Sequence, residues 1–150
     1  MRLDWKELFV STSPSTQPLN YQLVDPSRYA QESSRWFYKE PKIVIDTHTD
    51  DSEKYFRALV ELVKSTIHSI EFVRGIDASG HEFIRGAFLM NESGYAVVHV
   101  TNALIGYGGS GPHLSSRILQ MFGFSDEAFQ TINEAARPTG QNYALILRIV

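Results

Sequence analysis

The chain has 150 residues, 43% of them hydrophobic and 12% aromatic, with a formal net charge of −3 and no cysteine. That composition excludes a disordered chain, a disulfide scaffold, a thiolate metal site and a cysteine nucleophile. The acidic balance lacks the basic footprint that displaces counterions from DNA or RNA, and no window approaches the ~20 apolar residues that span a bilayer. The expectation is one soluble, cytoplasmic domain over residues 1–150, with no nucleic-acid and no membrane partner.

In chain order, Leu3, Trp5, Leu8 and Phe9 suit a short helix over 3–9. Ser11 to Pro18 then breaks regular pairing, so 1–20 reads as an ordered loop or a mobile N-terminal arm. Tyr21, Leu23 and Val24 suit a short strand before the Asp25-Pro26-Ser27 turn. Arg35-Trp36-Phe37-Tyr38 sets three aromatics in a row, as a satellite of the core or as a patch for a partner. The β-branched run near 42–47 is a strand.

Asp50 and Glu53 have capping-box spacing. Tyr55, Phe56, Leu59, Val60, Val63 and Ile67 recur on one helical face over 51–67. Ile70, Phe72 and Val73 leave open whether 69–76 continues the helix or forms a strand. The downstream turn Asp77-Ala78-Ser79-Gly80 and the strand-like run 82–90 favour a hairpin. With the Asn91–Gly94 turn and the run 95–101, it makes a β-meander over 69–101.

Four of the ten glycines follow, at 106, 108, 109 and 111. A helix hairpin at 112–137 comes next. Pro112 suits its first helical position, and Gly123 suits a left-handed cap. Ser125 suits an N-cap, flanked by a Phe124–Phe129 staple. The nearly all-apolar run at 142–150 reads as a strand covered on both faces and central or near-central in its sheet. The order predicts an α+β domain: a mainly antiparallel sheet with helices on one face.

The glycine loop is the leading site. Glycines let backbone approach a ligand or partner closely, and a helix N-terminus can hold an anion. Tyr107, Gly108, Gly109, Ser110, Gly111, His113, Ser116 and Arg117 are therefore candidate ligand- or partner-binding residues, with His99 and Trp36 beside them. Gly106–Gly111 fits the string Gly-x-Gly-x-x-Gly, but the loop lacks the βαβ setting of a dinucleotide site and the lysine of a P-loop. Gly108–Pro112 misses a nucleophile elbow by one position. The five histidines include no i, i+4 zinc pair, and of Asp46, Asp50 and Asp51, which could hold magnesium with phosphate at a strand end, Asp50 and Asp51 suit capping better.

His99-Val100-Thr101 and His113-Leu114-Ser115 resemble the paired His-x-Thr/Ser motifs of 2H phosphodiesterases. That family sets its motifs in two repeated lobes, and its chemistry is not carried over. In size, charge and lack of cysteine the chain resembles bacterial immunity proteins and antitoxins. The expected role is a non-enzymatic binding protein, with a protein partner or self-association and no cofactor or metal. The alternative is a small-ligand domain or enzyme taking a phosphate-containing anion at Gly106–Arg117.

Overall fold

The computed structural model describes residues 20–26, 41 and 43–149. The expected helix at 3–9, the Ser/Thr/Pro stretch and the aromatic run with Trp36 lie outside them. Among the described residues the strands and α-helices follow in the order β1 (Tyr21–Val24), β2 (Ile43–Ile45), α1 (Thr49–Val63), β3 (Ile67–Ile76), β4 (Glu82–Asn91), β5 (Ala96–Val100), α2 (Ser110–Met121), α3 (Asp126–Ala136) and β6 (Tyr143–Arg148). The strands form one sheet in the order β1-β6-β3-β4-β5-β2. Every neighbouring pair is antiparallel except β2 with β5. The expected α+β architecture holds, with β3–β4–β5 as the meander and β6 one strand in from an edge.

The strand period of two divides the sheet into two unlike faces. On the helix side, Ile70, Phe72, Ala87, Leu89, Val98, Val100, Tyr143, Leu145 and Leu147 meet Phe56 and Val60 of α1, Leu114, Ile118 and Leu119 of α2, and Phe129 and Ile132 of α3 in one core. On the second face, Val73, Ile84, Phe88, Met90, Ala96 and Ala144 form a separate buried cluster. Val97 leaves the strict alternation: it is the extra residue of a bulge between the Leu89–Val98 and Met90–Ala96 pairs. It packs toward the helix side, whereas His99 faces the other way.

Several helix ends differ from expectation. His48, not Asp50, is the N-cap of α1, and its side chain makes no cap hydrogen bond. Asp50 and Asp51 lie inside the first turn, where the macrodipole favours their charge. Glu53 pairs instead with Arg57 and Arg117. The helix stops at Val63, a 3₁₀ turn covers Lys64–Thr66, and the chain is already extended at Ile67. Pro112 is the third helical residue rather than the first, because α2 starts at Ser110 with Gly109 as N-cap. It remains within the first turn, where an absent N–H leaves no bond unmade. The other caps stand as expected. Ser125 Oγ accepts from Ala128 N at 3.1 Å, Gly123 has φ +89°, and Phe124 and Phe129 are both buried in the core.

Candidate functional site

Because β2 and β5 run parallel, both end on the same side of the sheet. The chain leaves β2 through Asp46-Thr47-His48 into α1, and leaves β5 through residues 101–109 into α2. Two helix starts and the glycine loop therefore share one end of the molecule. Polar groups tie this end together. Thr101 Oγ1 donates to Asp46 Oδ1 at 2.6 Å, and Asn102 Nδ2 donates to the Thr47 carbonyl. Arg85 donates from Nε to the Thr101 carbonyl at 3.1 Å and from Nη2 to Asn102 Oδ1 at 3.3 Å.

The loop itself is bracketed from inside. Gly106, at φ +93°, donates its N–H to Asn133 Oδ1 at 2.6 Å, and Asn133 Nδ2 donates to the Tyr107 carbonyl at 3.3 Å. Ser115 Oγ donates to the Leu104 carbonyl at 2.7 Å. The Ile105 N–H donates to the Tyr143 hydroxyl oxygen at 3.0 Å. Burial of that phenol pushes its pKa up to about 12, so it stays a neutral hydroxyl. Asn133, Ser115 and Tyr143 are all buried, and buried polar groups bonded in this way favour one conformation. Against this mount the tip, Gly108-Gly109-Ser110, stands exposed. The Tyr107 hydroxyl lies against Gly111, where a Cβ would collide with it. Tyr107 thus covers the first turn of α2.

The structure places the remaining candidates apart. His113 is exposed on α2 near the loop. Ser116 is buried, donating to Asp126 Oδ1 at 3.3 Å and accepting from Gln120 at 3.2 Å, so it joins α2 to α3. Arg117 Nε is buried 3.4 Å from Glu53 Oε1 and joins α2 to α1. His99 is on the opposite face of the sheet. Its ring stacks on Phe88 with centroids 4.0 Å apart, and its Nε2 is 2.7 Å from the Arg85 carbonyl. Burial holds its pKa below the ordinary value, outweighing that carbonyl and Asp46. His99 and His113 therefore do not converge on a common site, and Trp36 lies outside the described residues. Among the described residues no group of three or more His, Asp and Glu side chains is placed to hold a metal ion, and no helix is long and apolar enough to cross a membrane.

Asn133 was not among the expected site residues. Its signal was available: it occupies the step after Ile132, three before Ala136, on an otherwise apolar stripe. Asn133→Ala should cost about 2–3 kcal/mol, since it strands the Gly106 N–H and the Tyr107 carbonyl. Urea denaturation reads that loss, and faster amide exchange at Gly106 than at α2 places it in the loop.

Comparison with protein-family models, with curated protein sequences and with solved structures finds no match.

Proposed function

We propose that this chain is a non-enzymatic binding protein whose contact surface is the tip of the glycine loop with the adjoining first turn of α2. One observation carries the reading: an exposed tip, Gly108-Gly109-Ser110, rests on the buried Asn133–Ser115–Tyr143 bracket. A loop already held in one shape loses little conformational freedom when a partner covers it. Tyr107, Gly108, Gly109, Ser110 and His113 form the surface, while Ser116 and Arg117 position the helix that carries it. The chain's size and acidic balance suit a partner-neutralising role of the immunity or antitoxin kind.

Gly108 offers a clean test. A Cβ there meets nothing within 4 Å, and its φ is an ordinary one. Gly108→Arg should therefore leave stability within about 0.5 kcal/mol of the parent, as surface substitutions do. In a pull-down, a partner held by the parent chain should be released by Gly108→Arg and by His113→Glu. A partner that both variants retain would exclude the loop tip from the interface. The small-anion alternative needs the Tyr107 ring to vacate the first turn of α2, so inorganic phosphate should produce no thermal shift.

A further inference from the structure

The two most exposed large apolar side chains among the described residues, Leu62 at 80% and Tyr55 at 56%, lie on the same helix. One exposed leucine needs no explanation, but its spacing from its neighbours does. At 3.6 residues per turn, Tyr55, Ala58 and Leu62 fall within about 60° of the α1 surface, and all three are exposed. α1 therefore carries two apolar stripes. The first, with Phe56 and Val60, enters the core. Glu53 and Phe56 turn toward Arg117 and Phe122 on the α2 side, and α2 packs between α1 and α3. α1 is thus the outer helix of its layer, and the second stripe faces away from α2.

The charges beside the stripe select what fits it. Lys54 and Glu61 flank it on one side, two turns apart. Both are exposed, and neither has an ion-pair partner among the described residues. When two copies of a helix pack antiparallel about a twofold axis, the same flank of each meets: apolar with apolar, charged with charged. With the axis beside Ala58, Tyr55 of one copy comes within about 1.5 Å, along the helix, of the level of Leu62 of the other. Lys54 comes equally near the level of Glu61 of the other copy, and the symmetry repeats both pairs. Like charges stay about 9–12 Å apart along the helix, near a Debye length. Ala58, the smallest side chain of the stripe, meets its own copy at the axis, where close approach needs a small residue. A parallel pairing would set the charged flank of one copy against the apolar flank of the other. A different protein would have to supply this pattern of charge; a second copy supplies it by symmetry.

We propose that α1 is the interface of a twofold dimer of this chain, antiparallel about Ala58, with Tyr55 and Leu62 on one flank and reciprocal Lys54–Glu61 ion pairs on the other. One helix face per copy is a small interface, so the dimer is weak and forms with rising concentration. It goes beyond the binding role proposed above and is independent of it, since the loop tip takes no part; each dimer carries two tips.

Sedimentation equilibrium of the full chain tests it. From micromolar to submillimolar concentration the mass should rise from 17.0 kDa toward twice that value, and Gly108→Arg should behave like the parent. Leu62→Glu should weaken the dimer by about tenfold or more while leaving the urea midpoint in place, because Leu62 is exposed. Lys54→Glu and Glu61→Lys should each dimerise poorly alone, since like charges then meet, and should dimerise with each other when mixed. A chain that stays at 17.0 kDa throughout leaves the stripe to a different protein and overturns the proposal. A dimer that Leu62→Glu leaves intact, or two charge variants that do not recover on mixing, overturns it as well.

Discussion

Gly86→Ala is expected to cost about 3–5 kcal/mol, much of a typical fold's 5–15 kcal/mol, and Gly86→Val more. Gly86 is in the middle of β4, opposite Val73, with φ +110°. A side chain there carries two separate penalties. The backbone conformation is one that glycine alone adopts readily, worth about 1–3 kcal/mol. The new Cβ would also run into the Val100 carbonyl oxygen, and lie 2.8 Å from Thr101 Cα and 3.0 Å from His99 Nε2. Two of these three neighbours are backbone, which cannot rotate away, and overpacking of this kind adds about 1–3 kcal/mol. Gly80→Ala separates the two effects. Gly80 has φ +86° but nothing within 4 Å of a built Cβ, so it should lose only the conformational part, about 1–2 kcal/mol. Urea denaturation of both variants measures the difference, which belongs to the close approach of β4 and β5. If the two losses are equal, that approach contributes nothing. The same closeness lets Arg85 reach the Thr101 carbonyl, so the Gly86 variant should also loosen the end of the sheet that carries the glycine loop.

Glu71→Gln is expected to stabilise the protein in mild alkali and to leave it nearly unchanged in acid. Glu71 is 8% exposed on the second face, opposite Phe88 on β4 and Ile146 on β6. A 3.4 Å bond donated by Ser69 Oγ reaches its carboxylate. Burial pushes its pKa from 4.5 up to about 7. Below pH 4.5 the carboxyl is protonated whether the chain is folded or not. Between 4.5 and 7 only the folded chain holds the proton, and above 7 the folded chain must bury the charge. The stability this group supplies in acid is therefore lost as pH rises through about 7, by roughly 3 kcal/mol at 1.36 kcal/mol per unit. His99 has the opposite slope. Its folded pKa is depressed, so the unfolded chain takes up a proton first as pH falls below the ordinary 6.5, and stability falls with it. In the parent protein the two slopes oppose each other. In Glu71→Gln the His99 slope remains, so stability should climb from about pH 5 to about pH 8 by more than in the parent. Denaturation series at those two values check it; parallel curves for parent and variant would refute the assignment to Glu71.

Much of the fold was legible because its signals are local. Val97, Val98 and Val100 are β-branched, Asn91–Gly94 is a turn, and Ser125 with Phe124 and Phe129 marks a helix start; each is a short-range rule that packing did not override. The start of α1 was misplaced because Asp50 and Glu53 satisfy the capping-box pattern, while Ser52 bonds back to the Thr47 carbonyl at 3.1 Å and carries the helix start to Thr49. The parallel pairing of β2 with β5 was not legible: it joins residues 55 positions apart, and nothing in Ile43-Val44-Ile45 states its partner. The loop was found through its glycines, but its mount was not. Asn133, Ser115 and Tyr143 read as ordinary helix and strand residues until the fold brings them under Ile105 and Gly106.

The pairing of β1 with β6 has a consequence for how the protein is made. Tyr21–Val24 forms its ladder with Ala144–Leu147, a contact between distant parts of the chain, and such contacts slow folding. At a ribosomal pace of about 5–20 residues per second, the ~120 residues between them take roughly 6–24 s to appear. Throughout that interval β1, and from its own synthesis onward the outer edge of β3 (Ile67–Ile76), has no β6 to pair with. The nascent chain thus exposes two sheet edges to chaperones, or to other nascent chains, until β6 emerges and joins both in one step.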